Sequence, residues 1–386
     1  MNSSSELTQA VKEEARRLGF HHVGVTTPDP PSHLDTYEQW LTKDHHGDMA
    51  WMATERARQR RANPRLILPE CESILMLGIL YQPSPLRPSP NGRGVGGEGK
   101  IASYAWGDDY HDVLPDRLRS LVSFIEYKTG QTIPNRWYTD TGPILERELA
   151  QRAGLGWIGK NTNLINPKGG SYFLLAEILL GIELSPDEPL ISDHCGSCTR
   201  CIEACPTDCI LPNRTIDSNR CISYLTIELK EPIPQDLRPQ IGDWIFGCDI
   251  CQQVCPWNIR FSPANGDPAF EPRSGLVQLT LKDELLLSPE EFNRKFKGNP
   301  VKRTKRRGYL RNIAIALGNM GNPAAVPILS EALKDFEPLI RGHAAWALGQ
   351  IGGAEATNAL QFAAVVEENH VVINEIQNAL SITKGT

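Results

Sequence analysis

Nine of the chain's ten cysteines fall between Cys195 and Cys255, and their spacing constrains the fold more than any other feature. Cys195, Cys198, Cys201 and Cys205 run C-x2-C-x2-C-x3-C and lead into Pro206. A second group, Cys248, Cys251 and Cys255, leads into Pro256, with Cys221 upstream. This is the pattern of a two-cluster bacterial ferredoxin, in which closely spaced thiolates hold one [4Fe–4S] cubane and the last cysteine of each run crosses to the other. The cross-over assigns Cys195, Cys198, Cys201 and Cys255 to one cluster. It assigns Cys205, Cys221, Cys248 and Cys251 to the second. A pair of zinc sites is the alternative, but zinc ribbons have no need of the C-x2-C-x2-C-x3-C-P run. Cys71 and Cys209 lie next to apolar sequence and read as small buried hydrophobes.

Two adjacent clusters form a wire, and a wire needs an electron donor and an acceptor. No G-x-G-x-x-G turn for a flavin or nicotinamide is present, and Gly94–Gly99 sits in Pro-rich sequence where it carries little weight. The acceptor is therefore expected in the N-terminal part. Clustered thiols, a polar start at Met1–Glu6 without a signal-peptide core, and no apolar run long enough for a membrane point to the cytoplasm. The net charge of −6 argues against general affinity for nucleic acid. Yet the stretch from Arg294 to Arg311 holds nine basic residues and no acid. Such a block on an acidic protein implies a dedicated anionic partner.

The rest of the pattern is α+β. Apolar periodicity predicts a helix over 7–19, with Gly19 ending it, and helices over 112–128 and 143–153. Strands are expected at 22–26, 72–81 and 171–182, with a Pro- and Gly-rich loop over 82–100 and a linker over 262–275. The C-terminal part repeats itself: Ala316-Leu317-Gly318-Asn319-Met320-Gly321 recurs as Ala347-Leu348-Gly349-Gln350-Ile351-Gly352. Each copy is followed by Ala-rich helical sequence, as in short HEAT-type repeats, which stack into surfaces for large partners. Three domains are expected: a mixed α/β domain over 1–185, a ferredoxin-like domain over 186–265, and a HEAT-like helical domain over 266–386.

Several long strings together resemble the epoxyqueuosine reductases: Tyr104-Ala105-Trp106-Gly107 with Asp109-Tyr110-His111, the whole of 139–167, the two cysteine runs, and 301–319. The resemblance covers nearly the whole chain. It implies a cobalamin in the N-terminal domain, fed with electrons by the clusters. It also implies reduction of epoxyqueuosine to queuosine at the wobble position of tRNA with a GUN anticodon. An external low-potential donor is then required, and a monomer is expected. Asp109-Tyr110-His111 continues Asp112-Val113-Leu114, without the D-x-H-x-x-G run that gives other corrinoid proteins their cobalt-binding histidine. That agrees with the family's base-off cofactor.

Removing an epoxide oxygen as water takes two electrons and two protons, and an acid beside the departing oxygen lowers the barrier. The family's acid matches Asp140. That role needs a carboxyl pKa raised by burial beside the corrin face. On residues alone, Asp140 reads as a cap for the helix at Pro143. The resemblance also places Arg61, Lys160 and, more weakly, Asn163 at the cobalamin. His111 reads as structural or as a polar contact of the substrate pocket. The basic block supplies the expected tRNA phosphate contacts: Lys295, Lys297, Lys302, Arg303, Lys305, Arg306, Arg307 and Arg311. Two competing readings remain. One is a dehalogenase-like corrinoid reductase of a small molecule, which leaves the basic block idle. The other is a ferredoxin-type carrier with a protein-binding repeat domain.

Overall fold

The computed structural model describes residues 3–81, 98–277 and 279–383. Packing groups the chain into two units, each assembled from separated stretches: Met1–Pro85, Gly107–Ser218 and Ile250–Glu271 in the first, and Leu86–Trp106, Asn219–Asp249 and Pro272–Thr386 in the second. Among the described residues no helix is long and apolar enough to cross a membrane.

The first unit is built on an antiparallel sheet of β1 (His22–Thr26), β2 (Ser73–Leu80), β3 (Asn135–Tyr138) and β4 (Phe173–Leu180) in the order β1-β2-β4-β3. Every residue of β2 is buried, as its continuous apolar run requires of a strand covered on both faces. β3 has little apolar signal, and the sequence reading missed it. Helix α1 (Ser3–Arg17) ends just before Gly19, whose φ of +95° suits only glycine without strain. Helix α2 (Tyr110–Thr129) starts where Asp109 accepts the His111 amide at 3.0 Å and stops at left-handed Gly130. Its buried face carries Leu114, Leu118, Leu121, Val122 and Ile125 at helical spacing. The helix expected from 143 starts later, as α3 (Glu146–Arg152). Pro143 follows a turn at 139–142 instead of opening the helix.

Residues 82–97 of the expected loop lie outside the described residues. Glu98–Ile101 is already a strand, paired with Trp244–Phe246 and Leu279–Thr280. The repeat forms α4 (Lys305–Met320), α5 (Val326–Ala332), α6 (Pro338–Ile351), α7 (Gly353–Val366) and α8 (His370–Thr383). The recurring Ala-Leu-Gly strings have one physical cause. Gly318 lies on α4 where it meets α6, and an added Cβ would stand 2.8 Å from Trp346 and 2.9 Å from the Ala347 backbone. One repeat later, a Cβ on Gly349 would stand 2.7 Å from the Ala379 side chain on α8. Glycine sets the spacing of each helix on the next.

Gly318→Ala should therefore cost about 1–3 kcal/mol through overpacking. Gly342→Ala, whose Cβ would meet nothing closer than 3.6 Å, should gain about 0.5–1 kcal/mol of helix stability. Thermal unfolding of both variants checks the pair, and equal shifts would remove close approach as the reason for the repeat.

Candidate active site

The first unit holds a cavity of about 230 Å³ lined by the apolar residues Leu164, Phe173, Leu174 and Leu175 and by the polar residues Tyr110, Asp140, Glu146, Arg147, Asn163 and Ser171. Strand β4 supplies the apolar wall. The turn after β3 supplies Asp140, whose φ of +60° lies in the left-handed region that few non-glycine residues adopt. Asp140 does not cap a helix: the residue before α3 is Leu145, which makes no side-chain cap. The Tyr110 hydroxyl donates to Asp140 Oδ2 at 3.0 Å, and His111 Nε2 lies 3.8 Å from the same oxygen. The His111 Nδ1 faces Asp109 Oδ1 at 2.8 Å. Two consecutive residues at the start of α2 thus aim the Asp140 carboxylate. The Thr139 hydroxyl donates to the Leu175 carbonyl at 2.9 Å and ties the turn to the apolar wall.

The burial expected for Asp140 falls instead on its neighbours, because Asp140 itself is 67% exposed. Glu177 on β4 is fully buried and sits opposite Tyr138 on β3. The Oε1 of Glu146 is enclosed although the residue reaches the cavity. Burial raises both carboxyls well above the ordinary carboxylate range, and the Asp140 charge adds to this; Glu146 raises Glu177 further, whereas the contact with Glu177 lowers Glu146 part of the way back. The sequence reading missed both. The lone Glu in the apolar run Phe173–Leu180 is the signal that marks one of them.

The remaining expected residues are scattered. Asn163 lines the cavity, and its Nδ2 lies 4.0 Å from Cys251 Sγ. Lys160 is turned to the cysteine loop, where its ammonium donates to the carbonyls of Gly196 and Cys198 at 2.7 and 3.0 Å. Arg61 is buried, donates to the Ala57 carbonyl at 3.3 Å and lies over the Tyr37 ring. Both cations are thus engaged within the protein.

The thiols fit an iron–sulfur cluster. Cys255 is buried with Trp157 and Ile165, and Cys195 packs against that core. Burial raises the Cys201 and Cys255 thiols, and the nearby thiols of Cys195 and, for Cys255, Cys198 raise them further. Four thiols within mutual electrostatic reach suit a +2 cluster core that would reverse those shifts. Cys205 and Cys251 belong to the first unit, Cys221 and Cys248 to the second. Cys71 is buried as expected. Cys209 is buried too, but it is more than a hydrophobe: its Sγ lies 3.4 Å from Cys205 Sγ, and its hydrogen bond lowers the Cys205 thiol to about 5.

The basic block divides, all within the second unit. Lys297, Lys302, Arg303 and Lys305 are exposed. Arg303 pairs with Glu228 at 2.7 Å, and Lys295 pairs with Glu284. Arg306 pairs with Asp335 at 2.5 Å and lies over Phe336, while Arg307 is half-buried. Arg311 is fully buried and donates to the carbonyls of Leu225, Leu229 and Glu231. Burial lowers its pKa to about 9, which leaves it charged at neutral pH. No phosphate reaches Arg311, which braces α4 instead.

Three family descriptions match the chain: epoxyqueuosine reductase QueG, DUF1730, over residues 61–141; a 4Fe-4S double cluster binding domain over 194–258; and HEAT repeats over 307–381. The chain is 42% identical over 315 residues to the epoxyqueuosine reductase of Cyclobacterium marinum, covering 81% of this chain and 97% of that protein. It is similar, at 33% identity and a TM-score of 0.88, to an epoxyqueuosine reductase crystallised with an epoxyqueuosine-modified tRNA-Tyr stem loop, over 98% of this chain and 99% of that one. A further similar structure, of epoxyqueuosine reductase from Bacillus subtilis, has its catalytic aspartate loop swung out of the active site. That similarity has a TM-score of 0.87 at 33% identity and covers 98% of this chain and 99% of that one. A cavity edged by an aimed aspartate, a cysteine-rich cluster segment and a helical repeat thus occur together in a chain that belongs to the epoxyqueuosine reductase family.

Proposed function

We propose that this enzyme reduces epoxyqueuosine to queuosine at the tRNA wobble position, with two [4Fe–4S] clusters relaying electrons to a base-off cobalamin and Asp140 donating a proton to the departing oxygen. The observation that carries the reading is the Asp140 carboxylate, held by Tyr110 at the edge of a cavity that Leu164 and Phe173–Leu175 also line. An apolar wall suits the flat face of a corrin. The polar groups around it suit amide side arms and a polar substrate. When bound, the cobalamin supplies a low-potential cobalt centre for the two-electron reduction. Asp140 and Asn163 are the residues that would stand beside it.

The protein's own part follows from geometry. Reducing the epoxide to an alkene breaks two C–O bonds and releases water, so two protons accompany the two electrons. Asp140 in its acid form delivers one to the oxygen as the C–O bond weakens, which avoids a free alkoxide. Tyr110, hydrogen-bonded to Oδ2, fixes which carboxyl oxygen faces the cavity. The approach of Asn163 to Cys251 supports a short route from the second cluster, assigned to Cys205, Cys221, Cys248 and Cys251, to the cavity. The first cluster, assigned to Cys195, Cys198, Cys201 and Cys255, would receive electrons from an external low-potential donor.

The tRNA reading narrows with the structure. Lys297, Lys302 and Lys305 are the exposed members of the block best suited to phosphate. Arg303 and Arg307 add to the same stretch, and Lys295, Arg306 and Arg311 mainly hold the fold. The wobble base must leave the anticodon stack to be read in the cavity. The division of labour proposed is catalysis in 1–185, electron relay in 186–265 and tRNA binding in 266–386. The enzyme acts as a monomer in the cytoplasm.

Asp140→Asn keeps the size and tolerates the left-handed backbone. It should retain cobalamin, seen in the visible spectrum, while single-turnover reduction slows by about 10²–10⁴-fold. Wild-type rates in that variant would remove Asp140 from the chemistry. Replacing Lys297, Lys302 and Lys305 with Ala should weaken stem-loop binding and lower the slope of log K against log salt by about 2–3. Arg311→Ala should leave that slope unchanged and lower the melting temperature instead.

A further inference from the structure

Glu146 and Glu177 have no established part in the reaction, and their surroundings are unusual for carboxyls. Glu146 Oε1 and both oxygens of Glu177 have no donor from any other described group. The two side chains lie within hydrogen-bonding reach of each other. Two carboxylates cannot satisfy one another, since neither has a hydrogen to give. A single proton shared between them resolves this, because the neutral acid donates to the remaining carboxylate. The charges nearby do not favour full ionisation. Asp140 raises both groups, and Arg147 is the one cation acting on Glu146. Arg147 is itself engaged with the Thr162 carbonyl at 2.6 Å. Tyr110 and His111 point at Asp140, and Tyr138 lies across the sheet from Glu177.

This pair meets the Asp140 turn at two points. The Asp140 backbone N–H faces the Glu146 carboxyl and favours its charged form. Gly142, two residues on, lies so close to Glu177 that an added Cβ would stand 2.9 Å from Oε1. The Asp140 backbone sits in a region that costs of order 1 kcal/mol or more to hold. Something must over-determine it, and these two carboxyls join Tyr110 and Thr139 among the groups that meet the turn.

We infer that Glu146 and Glu177 are positioning residues that share one proton, and that the protonated pair holds the Asp140 turn over the cavity. With the proton in place, Glu146 keeps the Asp140 amide and Glu177 packs under Gly142. With both ionised, two buried charges repel each other and the Asp140 carboxylate, and the turn is released. The consequence for turnover rests on Asp140 being the working acid. The pair itself does not, and can be tested without cofactor.

The test is infrared spectroscopy and amide exchange on the cobalamin-free full-length protein, with Glu146→Gln, Glu177→Gln, their double variant and Asp140→Asn. Wild type and Asp140→Asn should show a protonated-carboxyl C=O band at neutral pH that is lost at alkaline pH, and the double variant should lack it. Exchange of the amides of 139–142, corrected for intrinsic pH dependence, should quicken as the band disappears. In Glu177→Gln the amide replaces the proton as donor, so at alkaline pH exchange in the turn should be about tenfold slower than in wild type. If Glu177→Gln does not fold, Glu146→Gln takes its place, and exchange in the turn at alkaline pH should likewise be about tenfold slower than in wild type. A band that persists in the double variant, or turn exchange indifferent to pH and to Glu177→Gln, overturns the proposal. If the band and exchange behave as stated while Asp140→Asn turns over normally, the positioning pair stands and the role of Asp140 as acid fails.

Discussion

A strained turn governs the chemistry of the first unit. Asp140 can face the cavity only because its backbone lies at φ +60°, a conformation with a local cost that packing and hydrogen bonds must offset. Strand β4 does most of this work. It gives the cavity its apolar wall, accepts the Thr139 hydroxyl at Leu175 and buries Glu177 beneath the turn. Helix α2 supplies Tyr110 and His111 from the opposite direction. The position of Asp140 is therefore set by three elements far apart in sequence.

Electrostatics sort the carboxyls by environment. Asp140 is exposed and hydrogen-bonded, whereas Glu177 is fully buried and Glu146 has its Oε1 enclosed. Burial disfavours their charged forms, and proximity disfavours two charges at once. On the proposed reading, such a pair would hold a proton at neutral pH beside the residue assigned as proton donor. The same logic separates the basic residues: Arg311 is charged but spent on buried carbonyls, while Lys302 and Lys305 remain at the surface.

What was legible in the sequence was local. The cysteine spacing, the apolar runs of β1, β2 and β4, and the Ala-Leu-Gly repeat each express one short-range rule, and the structure places elements where those rules put them. The helix at 143 began three residues late, because the turn holding Asp140 takes up the residues around Pro143. What was not legible depended on long-range packing. A lysine facing water and an arginine sealed under a helix look alike in a basic run, so Arg306 and Arg311 read as phosphate contacts. Arg61 and Lys160 were expected at a cofactor, and their donors lie on protein carbonyls. Glu146 and Glu177 are 31 residues apart in sequence and become a pair only through the register of β3 on β4.

The central claim is that reduction needs cobalamin beside Asp140. Its most direct test is conversion of an epoxyqueuosine-bearing tRNA stem loop by anaerobic protein reconstituted with iron and sulfide, with and without added cobalamin, under one chemical reductant. The account predicts queuosine only in the sample with cobalamin, with product limited by the cobalamin bound. Equal conversion without cobalamin would contradict it and move the site of reduction to the clusters themselves.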